Sequence, residues 1–280
     1  LNIGRKTQLF FKMKILKTLN KEFGTANYLN KIIYINVIIF LVINILSVFS
    51  SLFLIDFASF SENLMLPSNT SEIIERPWSI LTYMFLHESF IHLLFNMLWL
   101  HFGGKLFLEY LNQKQLVNIY ILGGLFGGIF FVFAFNYFPA LMPYSQSAKA
   151  LGASASVLAI FVAISTKIPN YQINIPFIGY IKLKHIALFF IILDFLSIPK
   201  GNAGGHIAHI GGAIFGYIYI KQIENKKKSF IDDFISVFKN PKTKKTKSKK
   251  EVNEVDIVLE KISKSGYNSL NDKEKELLFK

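Results

Sequence analysis

Residues 32–55 read IIYINVIIFLVINILSVFSSLFLI. Asn36, Asn44 and Ser47 interrupt an otherwise apolar run that carries no charge. At ~1.5 Å per residue such a run is long enough to cross a hydrocarbon core of ~30 Å. It lacks the polar face that a surface helix of a soluble domain shows. A transmembrane helix over about Ile32–Ile55 is therefore the expectation, and the rest of the chain is read outward from it. Further apolar windows follow at about Ile80–Phe102, Leu116–Phe138, Ala150–Ile168, Ile181–Ile198 and Ala203–Ile220. Gly103-Gly104-Lys105 closes the second window. Pro139 and Pro143, Pro169 and Pro199 stop the next three, as proline does when a helix cannot continue. The expected fold is an all-α membrane protein with six transmembrane helices.

Composition agrees with this reading. The chain has 280 residues, of which 52% are hydrophobic, with 29 Phe and a mean hydropathy of +0.38. Length alone would allow one or two soluble domains, but the apolar windows override that prior. The absence of Cys excludes a disulfide framework, thiolate metal sites and a cysteine nucleophile. A net charge of +13 raises the question of nucleic acid. The cationic residues cluster outside the apolar runs, and no basic helix interleaved with aromatics stands out. Anchoring to anionic lipid is the simpler account, and no nucleic-acid partner is expected.

The distribution of Lys and Arg sets the orientation. Residues 1–31 form a basic arm with Arg5, Lys6, Lys12, Lys14, Lys17, Lys21 and Lys31. With this arm inside, six spans place Lys105, Lys114, Lys167, Lys182, Lys184 and the Lys-rich tail inside as well. The outer loops keep Arg76, Lys149 and Lys200. Both termini are thus expected to be cytoplasmic. The expected organisation is the arm 1–31, a membrane domain 32–222, a basic linker 223–251 and a small helical hairpin 252–280. In the hairpin Val255, Val258, Leu259 and Ile262 share a helical face, Ser265-Gly266 breaks it, and a second helix ends in Leu277, Leu278 and Phe279. The segment 56–79, with Phe57, Phe60, Leu64, Met65, Leu66 and Trp78, is expected in the outer headgroup layer. Leu1 opens the sequence, so either the start is non-standard or translation begins at Met13, and no cleaved signal peptide is expected. The Phe, Ile, Asn and Lys usage points to an AT-rich bacterial genome and hence to an inner membrane.

Polar residues inside spans are expensive and need a reason. Gly152-Ala153-Ser154-Ala155-Ser156 opens the fourth span. Alone it fits close helix packing, or hydroxyls bonded to carbonyls four residues back. In the sixth span Gly204, Ala208, Gly212 and Gly216 recur every four residues and make a smooth face for a neighbouring helix. His209 sits at the edge of that face, where it would serve as a base for Ser154 or simply bond a carbonyl. In the second span His92 and Asn96 share a face, as oxyanion donors or as an interhelical hydrogen-bonded pair. His87-Glu88 begins like a zinc-binding HExxH helix, but the next His is five residues on, which turns it ~140° away. His206 and His209 lack an obvious third ligand. Gly123-Gly124 and Gly127-Gly128 in the third span read as packing. Asp194 in the fifth span would pair with Asn202 or His206, or reach outer water.

Taken together, Gly152-Ala153-Ser154, Ala208-His209-Ile210-Gly211-Gly212 and His92 with Asn96 resemble the motifs of the rhomboid family of intramembrane serine proteases. The resemblance covers about residues 32–222. It implies a six-helix membrane bundle in which Ser154 is the nucleophile and His209 its general base, a dyad with no third acid. It implies that His92, Asn96 and the Ser154 backbone N–H stabilise the oxyanion. Gly152, Gly211 and Gly212 belong to the same motifs. Substrates would be transmembrane proteins, cleaved near the outer membrane face, with no cofactor or metal. Two positions depart from the pattern: Ala155 follows the serine where many relatives have Gly, and Trp78 is followed by Ser79 where many have Arg. Ser156, ~200° around the helix from Ser154, should face elsewhere. The alternative is an inactive relative that binds membrane helices. A solute transporter is disfavoured by the lack of inverted-repeat symmetry.

Overall fold

A computed structural model describes residues 24–225, 258–263 and 266–278. Most of the basic arm, Met13 and the linker lie outside the described residues. The described residues fall in two units, one up to residue 225 and one from residue 258, taken here separately.

The first unit holds six long helices among its described residues: α1 Tyr28–Phe53, α2 Phe90–Tyr110, α3 Gln113–Tyr137, α4 Ser154–Lys167, α5 Leu183–Ser197 and α6 Ala203–Glu224. Short polar residues start most of them. The side chains of Asn27, Ser89, Asn112 and Asn202 accept from the backbone N–H three residues on and satisfy donors left free in a first turn. α1, α2 and α3 are long and apolar enough to cross a membrane. Along α1 the large apolar residues Ile38, Leu41, Ile45, Phe49 and Leu52 are exposed. An exposed apolar band of this length suits lipid rather than water.

The second helix departs from the sequence reading. It runs Phe90–Tyr110 and not Ile80–Phe102, and it passes straight through Gly103, Gly104 and Lys105. Residues 79–85 form a short helix and a 3₁₀ turn, and Ser89 then caps the new start. The two glycines act as packing sites and not as a stop: a Cβ on Gly104 would lie 2.5 Å from Leu29 Cδ1, and one on Gly103 would touch Phe161. The zinc-like reading fails on the same shift, because His87 and Glu88 precede the helix.

α4 lies at the centre of the unit. Ala155, Ala159, Ile160, Ala163 and Ile164 are all buried. The smooth face of α6 packs on it so closely that a Cβ on Gly212 or Gly216 would sit 2.2 Å from the carbonyl oxygen of Ala155 or Ala159. The α3 glycines close the other side, where a Cβ on Gly127 would lie 2.6 Å from Ala155 Cβ. Small residues on three helices thus let the backbones approach, as the spacing predicted. α4 is the shortest of the six at 14 residues. It rises about 20 Å, roughly a third less than a hydrocarbon core.

Two small strand pairs mark opposite ends. β1 (Leu66–Pro67) pairs antiparallel with β2 (Lys149–Ala150), just ahead of α4. β3 (Gln172–Ile175) pairs with β4 (Gly179–Lys182) between α4 and α5. The segment before α2 is folded and tied down. Arg76 bonds Asn63 Oδ1 at 2.7 Å and pairs with Glu72, while Trp78 Nε1 donates to the Asn63 carbonyl at 2.9 Å. Arg76 therefore gives this loop its anchoring guanidinium, two residues before Trp78 rather than directly after it. Leu66, expected among headgroups, is instead fully buried and reaches the Gly128 position of α3.

In the second unit the helix Asp272–Leu277 starts in a capping box, with Asn271 and Glu274 bonding each other's backbone N–H. Lys261 Nζ bonds both carboxylate oxygens of Glu274 at 2.8 and 2.9 Å, and Val258 and Leu270 are buried.

Candidate active site

Ser154 is the first residue of α4 and His209 the seventh of α6. The close contact between Gly212 and Ala155 brings these helices together one residue from Ser154 and about one turn from His209. Ser154 Oγ lies 2.6 Å from His209 Nε2, a hydrogen bond in which the hydroxyl donates when Nε2 is unprotonated. Ser156, two residues on, is buried against Gly124 of α3 and faces away from this pair.

The turn before Ser154 depends on Gly152. Its φ is +123°, a conformation that suits glycine, and its N–H donates to the Tyr83 carbonyl at 2.9 Å. A Cβ there would lie 3.0 Å from His92 Cε1, 3.1 Å from His92 Nε2 and 3.5 Å from Ser154 Oγ. The missing side chain thus makes room for the His92 ring beside the serine. Asn96, one turn further along α2, points one amide hydrogen at the His92 carbonyl at 3.0 Å and keeps its second for another acceptor. The N-terminal N–H groups of α4, Ser154's included, have no carbonyl partner within the helix. Donors of α2 and the start of α4 therefore line one space with Ser154 Oγ.

That space is a cleft of about 460 Å³ walled by α2, α4, α5 and α6. His92, Asn96, Ser154, Asp194, His206 and His209 are among its polar lining, and Phe95, Trp99, Phe161 and Phe190 among its apolar lining. Trp99 packs edge-on against both Phe161 and Phe190 at centroid distances of 5.4 and 4.9 Å. The His209 side chain keeps 24% of its surface exposed, so the pair is reachable from outside the bundle. Ahead of α2, burial and then the neighbouring His92 push His87 down to about 4, which keeps it neutral near pH 7.

One contact of the cluster escaped the sequence reading, the bond between Asp194 and His209. Asp194 Oδ1 lies 2.8 Å from His206 Nδ1, a pairing the sequence had offered, and also 2.9 Å from His209 Nδ1. Asn202, the other partner offered, caps α6 instead. The signal was present in the single acid of the apolar run 181–198, but the partner depends on how tightly the turn at 198–202 folds α5 back onto α6. Asp194, His206 and His209 also form the one group of donors close enough to share a metal among the described residues. Two donors on a tetrahedral ion stand about 3.3 Å apart. The separations of 2.8 and 2.9 Å fit direct N–H···O bonds instead.

The class defined by this arrangement is a helical membrane protein with a serine and a histidine facing an open cleft at the end of a short central helix. The Rhomboid domain family matches residues 75–223, just over half of the chain, and the chain belongs to that family. Residues 242–279 match a second family whose function is unknown, DUF6576. Among curated proteins the chain is 29% identical over 139 residues to presenilin-associated rhomboid-like protein A, mitochondrial, of Danio rerio, covering 49% of this chain and 35% of that protein. It is 28% identical to RHOMBOID-like protein 12, mitochondrial, of Arabidopsis thaliana, covering 48% and 43%. It is 25% identical to the human presenilin-associated rhomboid-like protein, mitochondrial, covering 54% and 38%. The chain thus spans less than half the length of these relatives. Their mitochondrial names are at odds with the bacterial setting read from composition, and what remains is a membrane protein.

Proposed function

We propose that this chain is an intramembrane serine endopeptidase that cuts transmembrane proteins near one membrane face. The observation that carries this reading is the 2.6 Å contact between Ser154 Oγ and His209 Nε2 inside an open cleft. Ser154 attacks the scissile carbonyl carbon, and its proton passes to His209 Nε2 as the carbonyl π pair moves onto oxygen. The Ser154 N–H, His92 and Asn96 are positioned to stabilise that oxyanion. When the oxyanion collapses, the C–N bond breaks and the leaving amine takes the proton from His209. Water then repeats the sequence on the acyl-enzyme, with His209 as base and then acid. No cofactor takes part.

The membrane setting explains the short α4. A helix some 10 Å shorter than the hydrocarbon core leaves its N-terminal serine below one surface, at the floor of a cleft. A substrate helix must unwind there to present a carbonyl, so residues that break helices are favoured near the cut. Six spans with both termini on the inner side fit the cations. Arg76 and Lys149 lie at the Ser154 end, whereas Lys105 sits beside the β3 segment and Lys167 pairs with Glu224 at 3.6 Å at the other.

The test is cleavage of a single-span reporter with a Gly- and Pro-containing outer third, co-reconstituted in proteoliposomes. The wild-type protein should release the outer fragment, and Ser154→Ala and His209→Ala should each lose at least ~10³-fold of that rate. Equal release by wild type and Ser154→Ala would remove Ser154 from the mechanism.

A further inference from the structure

We propose that Asp194 is a positioning residue for His209, so that the site works as a Ser154–His209–Asp194 relay of orientation and not as a bare pair. This rests on the proposed serine-protease reading. The geometry is that of an aligned chain: Asp194 Oδ1 at 2.9 Å from His209 Nδ1, and His209 Nε2 at 2.6 Å from Ser154 Oγ. The imidazole is therefore held at both nitrogens by groups from two different helices, α5 and α4.

The chemistry follows from what each nitrogen must do. A base for Ser154 needs Nε2 unprotonated and aimed at Oγ. In neutral imidazole the one proton sits on either nitrogen, and the hydrogen bond made by the other decides which. A carboxylate accepts and cannot donate, so Asp194 selects the proton on Nδ1 and leaves Nε2 free. When Ser154 gives up its proton, His209 becomes cationic beside a carboxylate already in contact, with no solvent reorganisation needed. Asp194 is well placed for this, with only 12% of its side-chain surface exposed. His206 Nδ1 shares the same oxygen at 2.8 Å and holds it from the next turn of α6. The titratable groups around Asp194 are thus His206 and His209 on α6, with His92 of α2 lining the same cleft, while α4 contributes Ser154 and no charge. Asp194 lines the cleft but bonds the two histidines and not Ser154, so its effect on the serine runs through His209.

In soluble serine triads, exchanging the acid for its amide costs ~10⁴-fold, because an amide can donate to Nδ1 and so moves the proton to Nε2. Asp194 is shared with a second histidine and is partly solvated, so a loss of ~10²–10³-fold is expected. The probe is a fluorophosphonate, whose phosphorus bonds to Ser154 Oγ as fluoride leaves and His209 takes the serine proton. Labelling across probe concentrations gives a maximal rate and a half-saturating concentration.

Asp194→Asn should lower the maximal rate by that factor and leave the half-saturating concentration within about twofold, and Asp194→Glu should recover at least tenfold of the loss. A loose-fold effect would not show this split with recovery by a second carboxylate. Labelling of Asp194→Asn within threefold of wild type, or a loss confined to half-saturation, overturns the proposal. Should the Asn variant fail to fold, nitrogen-15 NMR of histidine-labelled wild type reads the same point. A proton on His209 Nδ1 supports the role of Asp194, and a proton on Nε2 overturns it. No labelling of folded wild type would instead overturn the protease reading, a separate failure from that of Asp194.

Discussion

Adding one methyl group at Gly212 should disable the site without touching any polar residue in it. A Cβ there would stand 2.2 Å from the Ala155 carbonyl oxygen, 2.9 Å from its carbon and 3.2 Å from its Cα. A carbon–oxygen contact relaxes near 3.4 Å, so α4 and α6 must part by about 1 Å at this crossing. The obstacle is backbone and not a rotatable side chain, so no local adjustment avoids the move. Ser154 lies one residue and His209 about one turn from the contact, and their hydrogen bond is 2.6 Å long. Lengthened by about 1 Å it would pass beyond hydrogen-bonding range. A misplacement of that size costs ~10²-fold in rate. Overpacking also costs about 1–3 kcal/mol of stability. Gly216→Ala is the matched control: its Cβ would meet Ala159 O at the same 2.2 Å, one turn further from the pair. It should lower the melting temperature in detergent about as much and fluorophosphonate labelling much less. Gly212→Ala labelling at the wild-type rate would refute this account of how the pair is held.

Other substitutions read other parts of the structure. Gly152→Ala forces a side chain into positive φ and against the His92 ring. The strain is about 1–2 kcal/mol, and reporter cleavage should fall with a smaller loss of stability; unchanged cleavage would contradict the assigned place of His92. His87 bears on pH. Its folded value is about 4 against 6.5 when unfolded, so the unfolded state binds more protons between those values. Its contribution to stability is complete above pH 6.5 and is lost as pH falls toward 4. Melting temperatures measured from pH 7 to 4.5 should fall less steeply for His87→Gln than for wild type, and parallel curves would count against the burial of a neutral His87. Tyr120→Phe removes the hydroxyl that meets Asn36 of α1 at 3.0 Å, and should cost about 1–3 kcal/mol in chemical unfolding.

Much of this was legible in the sequence, because apolar length and four-residue glycine spacing are properties of local chain. The runs around α1, α3, α5 and α6 gave helices within a few residues of their observed ends. Gly212 and Gly216 lie where a smooth face had to meet a partner. Where the reading went astray, a tertiary neighbour decided. Gly103-Gly104 resembles a helix stop, but Leu29 and Phe161 fill the space beside it and the helix continues. Leu66 resembles an interfacial residue, yet β1 pairing turns it into the core. Ser154 and His209 stood out because their motifs are local. Asp194 was paired in the sequence with His206 but not with His209, because that second contact rests on the packing of α5 on α6.

The central claim is that Ser154 is an activated nucleophile, and fluorophosphonate labelling of the purified protein, with the adduct mapped by mass spectrometry, tests it most directly. One adduct is expected, on Ser154, absent from Ser154→Ala and His209→Ala and retained in Ser156→Ala. A folded wild-type protein that takes no label would contradict it and would point to a rhomboid-family protein that binds membrane helices without cutting them.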